Sequence, residues 1–278
     1  MCELKTPSAP HRWNSRRGFL LAAAASAALP AAAQVDVGKP SALRKLVPAE
    51  ALEQAAAQQF AQMKQEAKAE RALLPANHPQ VQRLRRMAQR MVPFALPWNE
   101  RAKRWQWEVE VIASDQINAF CMPGGKIAFF TGILDKLKLS DDEAAMIMGH
   151  EMAHALREHA RERVGKGNAT SIGLRLGAQL LGLGDVGAVA ADLGTQLLTL
   201  KYGRDDETEA DLVGLELAAR SAYNPSASVT LWQKMAQATG GGGPAFLSTH
   251  PSSPDRIREL EANVPKVQGL YEAARRKG

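Results

Sequence analysis

The chain has 278 residues, 45% of them apolar and 23% charged, with a formal charge of +6, which is the balance of an ordinary globular protein with room for one sizeable domain or two small ones. The charge does not argue for a nucleic-acid partner: residues 1–33 hold Lys5, Arg12, Arg16 and Arg17 against Glu3, and without that surplus of three the +6 falls to +3. The cysteines are Cys2 and Cys121, and with Cys2 in the same dispensable segment an internal disulfide is excluded, so stability must come from packing or metal.

The run Ser15-Arg16-Arg17-Gly18-Phe19-Leu20 opens an uncharged, alanine-rich stretch that reaches Val35. A basic start, an apolar middle, and Ala31 and Ala33 before a cut are the three parts of a secretory signal. The arginine pair followed by Gly-Phe-Leu resembles a twin-arginine export signal. The expectation is therefore a signal segment over 1–33, cleaved after Ala33, and a mature chain in the periplasm. Pro30 interrupts a stretch already short of the roughly 20 apolar residues that a spanning anchor needs.

Further on, Glu50 to Leu73 carries a helical pattern that ends before Pro75, and a second helix is expected after Asn77, through Val81, Leu84 and Met91, to near Pro93. From Trp105 the period changes to two. Trp107, Val109 and Val111 alternate with Glu108 and Glu110, which reads as a half-buried strand. Two more apolar runs, Ile117 to Met122 and Lys126 to Thr131, joined by Pro123-Gly124-Gly125, read as a hairpin. Ser140-Asp141-Asp142-Glu143 forms a capping box for a long helix, Asp141 to about Val164. Asn168 to Tyr202 reads as two short apolar helices broken around Gly182 to Gly187. Helices follow over Asp205 to Ala222, Pro225 to Ala238 and Pro254 to Asn263, with a flexible loop at Gly240 to Gly243. The expected class is α+β: mainly helical with one small sheet.

The segment that carries chemistry is His150-Glu151-Met152-Ala153-His154, inside the capped helix. A spacing of four is slightly more than one turn, so both imidazoles leave one face toward a common point. That suits two nitrogen ligands on a tetrahedral zinc. Glu151 is rotated by about 100°, placed to take a proton from an attacking water. His159, five residues past His154, falls off that face and reads as a surface or packing histidine. A catalytic zinc takes three protein ligands, and the acidic run Asp205 to Asp211 is the natural source of a carboxylate. Glu207 and Asp211 share a helix face and Glu209 points nearly the opposite way. On that face Glu207 could ligate and Asp211 could accept a hydrogen bond from a ligand histidine. Acids also enrich first helical turns for dipole reasons, and periodicity alone leaves Glu207 and Glu209 both open.

HEMAHALREHARER, ETEAD, STHP and Arg256-Ile257, with NAFCMPGGKIAFFTGIL upstream, are four ordered blocks from about Trp105 to Leu260. Together they resemble the HtpX/BepA/LoiP-type zinc metallopeptidases of peptidase family M48, in their periplasmic branch. The resemblance implies a zincin-like domain over 105–278, with the helical segment 34–104 packing on it, and one Zn2+ per chain. It implies Glu207 as third ligand and His250 either as a regulatory fourth ligand or as a transition-state contact, with Arg256 aiding the oxyanion. It implies strand addition of an extended substrate along the hairpin, at Asn118, Lys126, Ile127, Ala128 and Phe129. Cys121 takes a position that is usually apolar and reads as packing. The implied activity is endopeptidase cleavage of unfolded or misassembled envelope proteins, with a metal-stabilised chaperone or scaffold as the competing expectation. The stretch Ile172 to Leu200 is expected to be a helical pair of the core, a lid, or an apolar surface in peripheral contact with a membrane.

Overall fold

The computed structural model describes residues 35–167, 197–198, 200–238, 245–251 and 255–277. Every described residue belongs to one compact unit. The expected signal segment and nearly all of the stretch 168–199 lie outside the described residues.

The elements in chain order are α1 (Ala49–Ala69), α2 (Pro79–Met91), β1 (Glu108–Ile112), β2 (Ala119–Met122), β3 (Lys126–Phe130), α3 (Thr131–Lys136), α4 (Asp141–Leu156), α5 (His159–Gly167), α6 (Arg204–Arg220), α7 (Ala227–Gln237), α8 (Ala245–Thr249) and α9 (Arg256–Arg275). Among the described residues no helix is long and apolar enough to cross a membrane.

The sheet order is β1-β3-β2, with β3 parallel to β1 and antiparallel to β2. The hairpin closes as its sequence demands. Pro123 and Gly124 are the central residues of a turn in which Gly125 N donates to Met122 O at 3.2 Å. Gly124 has φ +83°, the value a Pro-Gly turn requires at its third residue. The outer edge of β1 is partly covered. Helix α1 ends at Ala69 instead of continuing to Leu73, because Arg71 turns the chain in the left-handed region at φ 57°. Residues 72–74 then pair with β1: Leu74 N donates to Val111 O at 2.9 Å, and Ala113 N to Ala72 O at 2.7 Å. This leaves β2 as the sheet edge beside α4.

Helix α4 starts at the expected capping box, with Glu143 N donating to Ser140 Oγ at 3.2 Å and Ser140 N to Glu143 Oε2 at 2.9 Å. It is buried along nearly its whole length and crosses α6 backbone to backbone. A Cβ at Gly149 would stand 2.6 Å from Gly214 O, and one at Gly214 would stand 2.6 Å from His150 N. Neither position accepts a side chain, and this close approach brings the start of α6 to the histidines of α4. The helix does not run unbroken to Val164. Glu158 takes φ 59°, α4 ends at Leu156, and α5 begins anew at His159. Helix α9 is longer than expected and contains Pro265. The short α8 was not anticipated.

One core joins Val81, Leu84 and Met91 of α2 to Val111, Ile127 and Phe129 of the sheet, Ile147 and Met152 of α4, Leu217 of α6, Trp232 of α7 and Leu260 of α9. Ala56 and Phe60 of α1 pack instead on Met122 and Ala128. The start of the described chain is tied down as well. Val35 N donates to the buried Glu216 at 3.0 Å, and Arg157 Nη2 donates to Gly38 O at 3.0 Å.

Candidate metal centre

His150 and His154 stand one turn apart on α4 with their Nε2 atoms 3.1 Å apart. Glu207, in the first turn of α6, presents Oε2 at 3.5 Å from His150 Nε2 and Oε1 at 3.4 Å from His154 Nε2. His250, just past α8, brings Nδ1 to 3.1 Å from Glu207 Oε1 and 3.3 Å from His150 Nε2. All four side chains are buried, and their donor atoms lie within 4.8 Å of one another. A tetrahedron with metal–nitrogen bonds of roughly 2.0–2.1 Å has edges of about 3.3–3.4 Å. The separations of 3.1–3.5 Å given above lie near those edges, so the donor set fits zinc. It fits with His150, His154 and Glu207 as three corners and His250 at the fourth.

Two sets of partners hold the histidines. Asp211, one turn after Glu207 on α6, lies with Oδ1 2.9 Å from His150 Nδ1. A protonated Nδ1 donating there leaves the Nε2 lone pair facing the donor cluster. Arg256 grips Asp211 through both oxygens, at 2.6 and 2.7 Å, and donates to Glu207 Oε2 at 2.9 Å. Burial disfavours charge on these carboxylates, but the histidines hold Glu207 far below the usual range, and Arg256 with His150 lowers Asp211. Burial would likewise lower His150, yet Asp211 and Glu207 outweigh it and raise its pKa to about 9.

The second set was not anticipated. His154 Nδ1 is 2.9 Å from His159 Nδ1, and His159 Nε2 is 3.3 Å from Glu209 Oε2. Arg157 Nε also donates to that oxygen, at 2.7 Å. Burial drives His154 well below the usual imidazole range, against the pull of Glu207. His159 was read as a surface or packing residue because an unbroken helix turns it away from His154. The break at Glu158 brings it back. Tyr202, also missed, stacks on His154 with ring centroids 3.9 Å apart, and Phe246 stacks on His250 at 4.3 Å.

Glu151 is buried, and burial raises its pKa against the opposing fields of His250 and His150. The backbone of Cys121 in β2 also acts to lower the pKa of this carboxylate. Its Oε1 makes no hydrogen bond, a costly arrangement for a buried acceptor unless it serves a ligand. A cleft runs past this oxygen between β2 and the rim formed by Leu200, Tyr202, Thr249 and His250.

Two expectations change here. The strand facing the cleft is β2, so of the hairpin residues expected to meet substrate only Asn118 lines it. Lys126, Ile127, Ala128 and Phe129 belong to β3, which is paired on both sides. A period-two pattern cannot tell an edge strand from a central one. Arg256 is committed to Asp211 and Glu207 and packs over the Trp232 ring at 3.3 Å, away from the cleft, so the expected contact with the oxyanion gives way to support of the acids. Cys121 is buried as expected and also lines the cleft.

Residues 79–264 match peptidase family M48. The match begins inside the segment expected to precede the catalytic domain. The chain is 36% identical over 199 residues to the mitochondrial metalloendopeptidase OMA1 of Schizosaccharomyces pombe, covering 70% of this chain and 56% of the relative. It is 32% identical over 212 residues to the Saccharomyces cerevisiae protein of the same name, covering 72% and 60%. It is 27% identical over 158 residues to the metalloprotease LoiP of Escherichia coli, covering 54% and 60%. The chain thus spans a little over half the length of these relatives. The periplasmic address expected from the N-terminal segment is overturned, because the relatives of higher identity carry mitochondrial names. A basic, alanine-rich pattern does not by itself fix a destination. The fold is the mainly helical α+β, zincin-like one. With its four converging donors set in that fold, the chain belongs to peptidase family M48, a family of metallopeptidases.

Proposed function

We propose that the chain is a zinc-dependent endopeptidase that cleaves unfolded or misassembled polypeptides. The observation that carries this is the Glu151 carboxylate, whose Oε1 makes no hydrogen bond and lies 3.5 Å from His250 Nε2, buried beside four converging donors at a cleft whose wall is a sheet edge. His150, His154 and Glu207 would hold the ion. When bound, zinc would supply Lewis acidity and lower the pKa of water toward neutrality.

The chain's own groups do the rest. Glu151, its pKa raised by burial, takes a proton from water attacking a peptide carbonyl and passes it to the leaving nitrogen. Asp211 orients His150, and Arg256 fixes both Asp211 and Glu207. An extended substrate would add to β2 as a further strand. Backbone pairing of that kind reads little side-chain identity and suits clients that have lost their fold. This supports a role in protein quality control; the envelope location of those clients falls with the periplasmic address.

The test is metal content together with casein cleavage by wild type and Glu151→Gln. Cleavage should drop by about 10²–10⁴ with metal retained. Loss of metal in the variant would mean that Glu151 has a different job.

A second reading has one observation behind it: His250 Nδ1 sits at the fourth corner of the donor set, which would close the site. A chaperone or scaffold with a structural metal would look like this. His250→Ala separates the two, since cleavage should persist or rise if the closure is a regulated state, and should stay absent if the metal is structural.

A further inference from the structure

We propose that His159 and Glu209 are positioning residues that hold His154 in its metal-binding tautomer, as Asp211 does for His150. The inference rests on the metal-centre reading above and assigns a role to two side chains that this reading leaves unused. The proton arrangement follows from the atoms. An imidazole that offers its Nε2 lone pair to a metal carries its proton on Nδ1. His154 Nδ1 then donates to His159 Nδ1 across 2.9 Å. His159 must accept with that nitrogen, so its own proton sits on Nε2, which faces Glu209 Oε2 at 3.3 Å. Glu209 is a charged acceptor in place, held by Arg157 at 2.7 Å. Arg157 is anchored in turn by the carbonyl of Gly38. Every hydrogen bond in the series has one donor and one acceptor, and all of them point away from the cluster of metal donors.

His159 is only 2% exposed, and that burial does not by itself require a histidine. The competing explanation is that the ring fills space behind His154. A leucine would fill that space and accept nothing. A glutamine would offer a carbonyl to His154 and an amide to Glu209.

The experiment titrates the metal-free full chain with Zn2+ against a chromophoric chelator, for wild type, His159→Leu, His159→Gln and Glu209→Gln. Circular dichroism of each metal-free variant verifies that it is folded. Orienting partners of metal ligands are worth about 10- to 100-fold in affinity. His159→Leu should weaken zinc binding by that much, His159→Gln should recover most of it, and Glu209→Gln should lose less than His159→Leu. Equal affinity in His159→Leu and wild type would overturn the proposal. So would equal losses in the leucine and glutamine variants, which would mark a packing role. A wild type that takes up no zinc would instead overturn the metal-centre reading, and this inference with it.

Discussion

His150 and His154 lie on one helix, four residues apart, and look interchangeable in sequence, yet the protein supports them in different ways. His150 meets a carboxylate directly, and that carboxylate is clamped by a buried arginine. At its Nδ1 His154 meets the His159 ring, and the carboxylate behind that ring, Glu209, keeps 27% side-chain exposure. The titration follows the partners: His150 is raised to about 9, whereas His154 is driven down by its burial. The difference is one of number: Asp211 and Glu207 together outweigh burial at His150, whereas Glu207 alone does not outweigh it at His154.

The largest test of this contrast removes the acids one at a time. Asp211→Ala strips a fully buried arginine of its main partner and should destabilise the fold by about 3–5 kcal/mol in denaturant titration. Glu209→Ala removes a carboxylate partly in solvent and leaves the buried Arg157 the carbonyls of Val37 and Gly38, so it should cost less, about 1–3 kcal/mol. Equal losses would erase the distinction between the two arms.

Next in size is the ion itself. A metal that binds only the native state adds about 4 kcal/mol at a thousand times its dissociation constant. Chelation should therefore lower the thermal midpoint substantially in wild type, and by less in His154→Ala, where a donor is missing.

A third test uses pH on the metal-free protein. The folded pKa of His150, about 9, lies above the ordinary 6.5, so its contribution is fully present below pH 6.5 and is lost as pH rises through 9. His154, depressed, has the opposite sign: keeping it neutral costs stability as pH falls below 6.5. The thermal midpoint should fall by a few degrees between pH 7 and 10, and Asp211→Asn should flatten that fall. A midpoint that rises over this range would contradict the assignment of Asp211 as the partner of His150.

The smallest effect is a control on the helix that carries both arms. Glu143 closes the capping box and pairs with Lys234 at 2.7 Å. Glu143→Gln should cost about 1 kcal/mol in thermal unfolding with zinc affinity unchanged.

Much of the site was legible because its signals are local. A spacing of four on a capped helix aims two imidazoles together whatever the rest of the chain does, and Pro-Gly sets its turn by the φ angles of those two residues alone. The choice of Glu207 over Glu209 as the nearer acid was less legible, since both open the same helix. The sequence by itself therefore determined the metal motif, the hairpin and the helical class, each through contacts within a few residues. Tertiary structure alone decided that β2 and not β3 faces the cleft, that Arg256 serves the acids instead of the substrate, and that His159 turns back to His154. Those outcomes depend on which strand pairs on both sides, on a helix broken by one left-handed residue at Glu158, and on two glycines that let α4 and α6 touch. None of these can be reduced to spacing along the chain, because each is set by what stands on the other side of the contact.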